Sequence, residues 1–365
     1  MRSRPGVDLW LVLSAGLILL IAFFVLASGV RGAGPGIGIG QHAIRVAIAL
    51  GVAWLAWRLD TRILVRAAPV LFGAVLVLAV AANLVGALRA GTNRWIEFGM
   101  VTLQPGELAK PALVLLAAHL AWRSAYRPLS RGSLFLAAAT GMALVFAVAA
   151  QPDLGSAAIL IGIAAGIAFL TGYLPSGRAL AAWAGASVLA LPTLWIYGLR
   201  DYQKARILSF LSPESDPLGA GYQAVQAQVA VGSGGLVGVG WMEGSQTAYQ
   251  FLPAPHTDFV FAVLAEEFGF LGVSVVLTLY LVLGLRLLRI AAEAVTAREP
   301  AAAVLVGGVF LMLFLQTIYN IGMVGGLLPV KGFPLPLMSY GGNSLLVTGA
   351  AIGLAASVRR RLQET

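Results

Sequence analysis

The stretch WLVLSAGLILLIAFFVLASG, residues 10–29, contains no charged side chain. A helix of ~20 apolar residues can cross the hydrocarbon core of a bilayer, which is about 30 Å thick. Stretches of this kind recur along nearly all of the 365 residues. The sequence therefore predicts an all-α polytopic integral membrane protein, with residues 1–365 forming a single membrane domain.

The composition supports the same class. Hydrophobic residues make up 59% of the chain and charged residues 11%, against roughly a quarter charged in a soluble domain. The net charge of +9 comes from basic residues dispersed between apolar runs, which argues against a nucleic-acid partner. The chain has no cysteine, so disulfides, thiol nucleophiles and thiolate metal sites are excluded.

Charged, Gly-rich and Pro-rich breaks divide the chain into about ten predicted transmembrane helices. The first lacks the small-residue cleavage site of a signal peptide and is expected to be retained. The predicted spans are 8–30, 41–57, 64–86, 106–123, 132–150, 154–173, 178–199, 258–288, 301–325 and 339–358.

The basic residues predict the orientation. If the N-terminus is cytoplasmic, most of the 24 Lys and Arg residues fall on the inner side, as the positive-inside rule requires, and both termini are cytoplasmic. The long connection between spans 7 and 8, residues 200–257, then lies outside the cytoplasm. It is too polar to face lipid, so we expect it to fold onto the outer face as a lid, a substrate groove or a passive cover. Its segment Gly221–Gly240 predicts short amphipathic helices at the interface.

Two ionisable residues lie inside the fourth predicted span, in QPGELAK, residues 104–110. Glu107 and Lys110 are three residues apart and share one helix face, so they can pair. Buried charges in a membrane either tie helices together or line a functional cavity, and both interpretations remain open. Gln104 fits a helix start that faces outward.

The eighth predicted span opens with PAPHTDFVFAVLAEE, residues 253–267. Asp258 is at its outer mouth, where an aspartate can cap a helix or act as a general base in a membrane-level cleft. Glu266 is about 12 Å deeper on a neighbouring face, and Glu267 points roughly opposite Asp258. We expect one glutamate to support the cavity and the other to anchor a helix contact.

Three further segments fall on the same predicted side as Asp258. They are NRWI (93–96), QPDLGS (151–156) and PLPLMSYGGN (334–343). The prolines and glycines of the last one predict a rigid bend, from which the hydroxyl groups of Ser339 and Tyr340 could line the cleft. Each segment alone is an ordinary turn, but their convergence on one face predicts a site.

Together these segments resemble the SEDS family of bacterial shape, elongation, division and sporulation proteins. The resemblance covers nearly the whole chain and rests on five motifs in order: RWI (94–96), QPGELAK (104–110), QPDLGS (151–156), HTDFVF (256–261) and PLPLMSYGG (334–342). Two departures stand out. Gly106 replaces the usual serine, and Lys331 with Phe333 replaces the usual threonine and aliphatic residue.

The resemblance implies a peptidoglycan glycosyltransferase that polymerises lipid II at the outer leaflet of the bacterial cytoplasmic membrane. It also implies a class B penicillin-binding protein and other elongation-complex membrane proteins as partners, because the short terminal segments are more typical of elongation members than of division members. The family's essential aspartate corresponds to Asp258, and its membrane-embedded pair to Glu107 and Lys110. A divalent cation, Mg²⁺ or Mn²⁺, follows only from the leaving group and the family, since no residues here specify a metal.

The predicted site has Asp258 as its catalytic base and Gln104, Glu266 and Glu267 as structural support. The expected substrate-binding residues are Arg45, Arg94, Glu107, Lys110, Asp153, Lys204, Arg206, His256, Thr257, Ser339 and Tyr340.

Three alternatives to this prediction remain. A lipid II flippase would need polar positions along the full depth of the bundle, whereas those found here cluster in its outer half, apart from Glu266. A scaffold that only recruits a synthase would leave Asp258 without a function. A division-type polymerase of the same family differs in its role in the cell and not in its chemistry.

Overall fold

The described part of the chain forms a helical bundle with one small sheet. The computed structural model describes residues 8–30, 38–85, 87–89, 92–98, 101–126, 130–151, 153–172, 198, 201–212, 214, 216 and 219–364. The helices in this part are α1 Leu9–Gly29, α2 Ile39–Arg58, α3 Thr61–Val85, α4 Pro105–Tyr126, α5 Arg131–Ala149, α6 Leu154–Leu170, α7 Asp201–Leu211, α8 Ala220–Ser233, α9 Ser245–Ala248, α10 Val260–Thr296, α11 Pro300–Val324 and α12 Gly342–Glu364. The strands are β1 Ala87–Arg89, β2 Thr92–Phe98 and β3 Val101–Leu103.

Nine of the ten predicted spans coincide with α1 to α6 and α10 to α12. The seventh, 178–199, lies outside the described residues apart from 198. Within the described part, six helices are long and apolar enough to cross a membrane: α1, α2, α3, α5, α10 and α11. The protein is therefore a multi-pass membrane protein, and the count of ten crossings stays a prediction.

The all-α prediction is wrong for the segment between α3 and α4. Antiparallel strands β1, β2 and β3 form a sheet there, with Ile96 opposite Leu103 and Phe98 opposite Val101. The sequence of β2, TNRWIEF, is rich in β-branched and aromatic residues, which favour strands. The segment is too short to cross a bilayer and too polar to extend α3, so it pairs locally.

Ion pairs join the helices at the end of the bundle where α1 begins and α10 ends. Asp8 caps α1 through the backbone N–H of Leu11 and pairs with Arg286 of α10. Arg359 of α12 pairs with Glu293 of α10. The basic residues assigned to the inner side therefore meet at one end, and which side of the membrane that end faces stays a prediction.

Helix α10 is broken at Gly269, whose φ of 61° and ψ of −163° lie outside the helical region. A break inside a helix leaves backbone N–H and C=O groups without helical partners. The glycine-rich segment Gly234–Gly240, which follows α8, bonds to them in both directions. The donors and acceptors are Val239 N to Glu266 O (3.0 Å), Gly240 N to Glu267 O (3.2 Å), Phe270 N to Gly235 O (2.9 Å) and Leu271 N to Leu236 O (3.1 Å).

This contact fixes the long connection against α10. Gly269 is nine residues beyond the start of α10, roughly 14 Å along the helix axis. Segment Gly234–Gly240 therefore packs against α10 at this distance from its start, and the position of the connection on the outer face stays a prediction. Side chains would prevent this approach, because a Cβ on Gly234 would overlap the carbonyl of Ala265 and one on Gly238 would overlap that of Glu267.

We expect Gly234→Ala to lower the melting temperature of the detergent-solubilised protein by roughly 2–10 °C, since overpacking a tight contact costs about 1–3 kcal/mol. Gly232→Ala is the matched control, because a Cβ on Gly232 meets nothing within 4 Å. Differential scanning fluorimetry of both variants measures the effect. Equal melting temperatures would show that the contact between the loop and α10 does not stabilise the fold.

Candidate functional site

Asp258 lies two residues before the start of α10 and is half-buried. The residue at the cap position of α10 is Phe259, whose side chain makes no capping hydrogen bond, so Asp258 lies one residue before the cap position. Its carboxylate faces the chain segment 331–334, where a Cβ on Gly332 would lie 2.9 Å from Asp258 Oδ2. Glycine at position 332 thus leaves the space that this carboxylate occupies.

Two amide side chains of α11 hold the backbone around Asp258. Asn320 Nδ2 donates to the carbonyl oxygens of Asp258 (2.8 Å) and Phe333 (2.6 Å). Gln316 is one turn earlier, and its Nε2 donates to the carbonyl of Pro334 at 2.7 Å. Sequence reasoning missed both residues. The signal was present, because amides four residues apart inside an apolar span need partners.

The ion pair Glu107–Lys110 of α4 contacts Gln316. Lys110 Nζ lies 2.7 Å from Glu107 Oε1 and donates to Gln316 Oε1, also at 2.7 Å. Glu107 is 4% exposed and Lys110 2% exposed. The predicted pairing is therefore present, and the two charges are enclosed in the bundle. Through Gln316 they support the segment that faces Asp258.

Asp153 lies on the other side of this segment. Its carboxylate caps α6 through the N–H and hydroxyl of Ser156 and pairs with Lys331 Nζ at 3.0 Å. The side chains of Lys331 and Phe333 pack against Gly155, where a Cβ would lie 2.6–2.7 Å from them. The second departure from the family pattern, Lys331 with Phe333, thus fixes segment 331–334 to the start of α6.

Aromatic and basic side chains cluster around His256, which is two residues before Asp258 in the chain. Arg45 Cζ is 4.3 Å from the ring centroid of Tyr340, and Arg45 Nη1 donates to the Tyr340 carbonyl at 2.9 Å. Tyr340 N in turn donates to the carbonyl of His256 at 2.9 Å, with the two rings edge to face. Burial, together with the nearby Arg45 cation, lowers the pKa of His256 below its usual 6.5. His256 is therefore neutral at neutral pH.

The remaining residues expected to bind substrate have other surroundings. The Ser339 hydroxyl accepts from Leu335 N at 2.7 Å and closes a turn, and Thr257 donates to Ala254 O at 3.4 Å. On α7, Lys204 is half-buried and Arg206 is exposed. Arg206 lines a cavity of about 30 Å³ with Gln228, Gly326 and Val330. Arg94 lies in β2, and its side chain is outside the described part.

The glutamates of α10 are not at Asp258. Glu266 is fully buried and accepts from Gln246 N at 2.9 Å at the start of α9, so it supports the long connection. Glu267 accepts a hydrogen bond from the Ser28 hydroxyl of α1 and joins two helices. Gln104 immediately precedes α4, and its carbonyl accepts from Glu107 N at 3.0 Å.

The described residues do not build a metal site. Within the part of the chain that the structure describes, no three His, Cys, Asp or Glu side chains come close enough to hold an ion. Asp153, which lies on the other side of segment 331–334 from Asp258, is already paired with Lys331. The Mg²⁺ or Mn²⁺ implied by the resemblance has no ligand set among these residues, and no step of the reaction is assigned to it.

The buried polar network around segment 331–334 and the membrane fold that carries it define a family. The family model for cell cycle proteins of the FtsW, RodA and SpoVE type matches residues 7–364, and the chain belongs to this family, the SEDS family.

Particular relatives agree with the family assignment. The chain is 40% identical over 351 residues to the peptidoglycan glycosyltransferase MrdB of Escherichia coli K12, covering 94% of this chain and 92% of the relative. It is 37% identical over 321 residues to a probable peptidoglycan glycosyltransferase FtsW of Geobacter metallireducens, covering 87% and 82%.

Solved structures also match nearly the full length. One is a chain of a peptidoglycan synthase complex that coordinates polymerization and crosslinking, with a TM-score of 0.82, 32% identity and 98% of each chain covered. Another is the rod shape determining protein RodA of Thermus thermophilus, with a TM-score of 0.70, 31% identity and 97% of each chain covered.

The buried pair Glu107–Lys110 of α4 predicts that removing one charge destabilises the protein more than removing both. Lys110→Met leaves the Glu107 carboxylate buried without its cation, and breaking a buried pair costs about 3–5 kcal/mol. We expect a clear drop in melting temperature for Lys110→Met and a partial recovery in the double variant Glu107→Gln/Lys110→Met. No recovery in the double variant would contradict a structural role for the pair.

Proposed function

We propose that this protein is a peptidoglycan glycosyltransferase that polymerises lipid II into glycan strands at the outer face of the bacterial cytoplasmic membrane. The family and the MrdB and FtsW relatives support this function. The observation that carries it is the Asp258 carboxylate, which is half-buried, faces Gly332 and has its own backbone held by Asn320. A carboxylate positioned in this way is suited to take a proton from a sugar hydroxyl.

In the proposed reaction Asp258 removes the proton from the 4-hydroxyl of the acceptor GlcNAc. The oxygen attacks the anomeric carbon of the donor, a new C–O bond forms, and the bond to the pyrophosphate oxygen breaks. An α-linked donor gives a β-linked product, so the transfer is inverting and one base is sufficient. Undecaprenyl pyrophosphate leaves with the bonding electrons, and the proton stays on Asp258.

Negative charge on the departing pyrophosphate requires cations. Arg45, half-buried against Tyr340 and near His256, is the residue we assign to this role, with Arg206 of α7 at the more exposed position. Lys110 is less suited, because its ammonium group is bound to Glu107 and Gln316 inside the bundle. These internal contacts also fail to favour transport, since a flippase would need the pair to face a passage.

We infer a role in cell elongation and a class B penicillin-binding protein as partner. Identity to MrdB is slightly higher than identity to the FtsW relative, and the Thermus thermophilus RodA structure covers nearly the whole chain. The synthase complex that couples polymerization with crosslinking supports a crosslinking partner. Other membrane proteins of the elongation complex would bind to the complex formed by this protein and its penicillin-binding partner.

We expect Asp258→Asn to lower the polymerisation rate by about 10²- to 10⁴-fold, the usual contribution of a general base, while leaving the fold intact. In the assay, purified protein and a class B partner are incubated with lipid II, and the glycan ladders are resolved on a gel. Asp60→Asn, an exposed carboxylate preceding α3, is the control. Wild-type ladders from a folded Asp258→Asn protein would refute the assignment of the base.

Gly332→Ala should act on the same carboxylate without removing it. The new methyl group would lie 2.9 Å from Asp258 Oδ2, too close for van der Waals contact, so the carboxylate must move. A displacement of about 1 Å can cost ~10²-fold in rate. Gly51→Ala is the control, because a Cβ there meets nothing within 4 Å. If both variants polymerise equally, the position of the carboxylate at Gly332 does not matter to the reaction.

A further inference from the structure

A polar cavity lies at the end of the bundle opposite Asp258. Its volume is about 370 Å³, and it is enclosed by the first turns of α3 and α11 and the last turns of α4 and α12. The proposed polymerisation does not use it. Its charged and aromatic lining residues include Arg62, Arg66, Trp122, Arg298, Glu299 and Arg361.

The lining is strongly basic. Among the described residues around the cavity, four arginines face one carboxylate, that of Glu299. Glu299 is shared, because Arg62 Nη2 and Arg361 Nη2 each lie 2.6 Å from its oxygens. One carboxylate cannot neutralise four guanidinium groups, so the cavity keeps a net positive charge. Asp60, just outside, accepts from the backbone N–H of Arg62 at 2.9 Å.

Helix ends of both kinds surround the cavity. The first turns of α3, which begins at Thr61, and of α11, which begins at Pro300, line it together with the last turns of α4 and α12. First turns carry partial positive charge and last turns partial negative charge, so these helix ends largely offset one another. The positive potential of the cavity therefore comes from its four guanidinium groups, which suit a phosphate.

The other walls are apolar. Val65 and Leu305 line the cavity beside Trp122, and Arg66 Cζ lies 5.7 Å from the centroid of the Trp122 ring. Tyr126, also in the lining, is 76% exposed at the end of α4. Indole and phenol rings at the end of a spanning helix are typical of the headgroup level of a membrane. The cavity therefore suits a ligand with an anionic head and apolar chains.

We propose that this arginine cavity binds the headgroup phosphate of an acidic phospholipid in the adjacent leaflet. Basic pockets between spanning helices are suited to such headgroups, and the basic end of this bundle is the one predicted to be cytoplasmic. The phosphate accepts from Arg66 and Arg298, which are exposed, while Arg62 and Arg361 stay paired with Glu299. The acyl chains lie along the apolar surface of α3 and α4.

The test measures lipid retention by the full chain. Delipidated protein in detergent is titrated with phosphatidylglycerol or phosphatidylcholine, and bound lipid is counted by native mass spectrometry. Arg66→Gln/Arg298→Gln removes two exposed guanidinium groups and leaves the pairs of Glu299 intact. The control Arg123→Gln/Arg289→Gln removes the same charge from exposed arginines that do not line the cavity.

We expect wild type and control to retain phosphatidylglycerol over phosphatidylcholine, and the cavity variant to bind it roughly tenfold or more weakly. Phosphatidylglycerol should also raise the melting temperature of the wild type more than that of the cavity variant. Equal retention by the two double variants would overturn the proposal. Equally tight binding of glycerol phosphate, which has no acyl chains, would overturn the lipid as the source of the phosphate.

Discussion

The hydrogen-bonding of the α10 backbone is the constraint on which the rest of this structure depends. A helix broken at Gly269 leaves N–H and C=O groups without helical partners, and each such group costs several kcal/mol if it is buried unpaired. Segment Gly234–Gly240 bonds to these groups on both sides of the break. The long connection and α10 therefore stabilise one another, and the direction of the first part of α10, which carries Asp258 at its mouth, is set by this contact.

A second set of polar contacts makes the candidate site rigid. Segment 331–334 has no helical hydrogen bonds of its own, and Gln316 and Asn320 of α11 satisfy its carbonyls. Lys331 ties it to α6, and Lys110 ties Gln316 to α4. Because the carbonyls of Phe333 and Pro334 have side-chain partners, the segment can lie inside the bundle and place glycine against the Asp258 carboxylate. Such preorganisation is what a general base requires.

The two ends of the bundle have different electrostatics. At the Asp258 end, Glu107 pairs with Lys110 and Asp153 with Lys331, so these buried charges cancel. At the opposite end, arginines outnumber carboxylates and join α1, α3, α10, α11 and α12 through shared ion pairs. The proposed chemistry at the first end concerns a neutral hydroxyl and a leaving pyrophosphate. The proposed binding at the second concerns the charged surface of a leaflet.

The sequence by itself determined the helices and the family, because a run of ~20 apolar residues is a local property and the five motifs are contiguous. It also placed Glu107 beside Lys110, since three residues is nearly one helical turn. Only the tertiary structure decided that Glu266 supports the long connection and that Asp153 pairs with Lys331. Those contacts join residues far apart in the chain, and the packing of the bundle selects one partner among many polar groups.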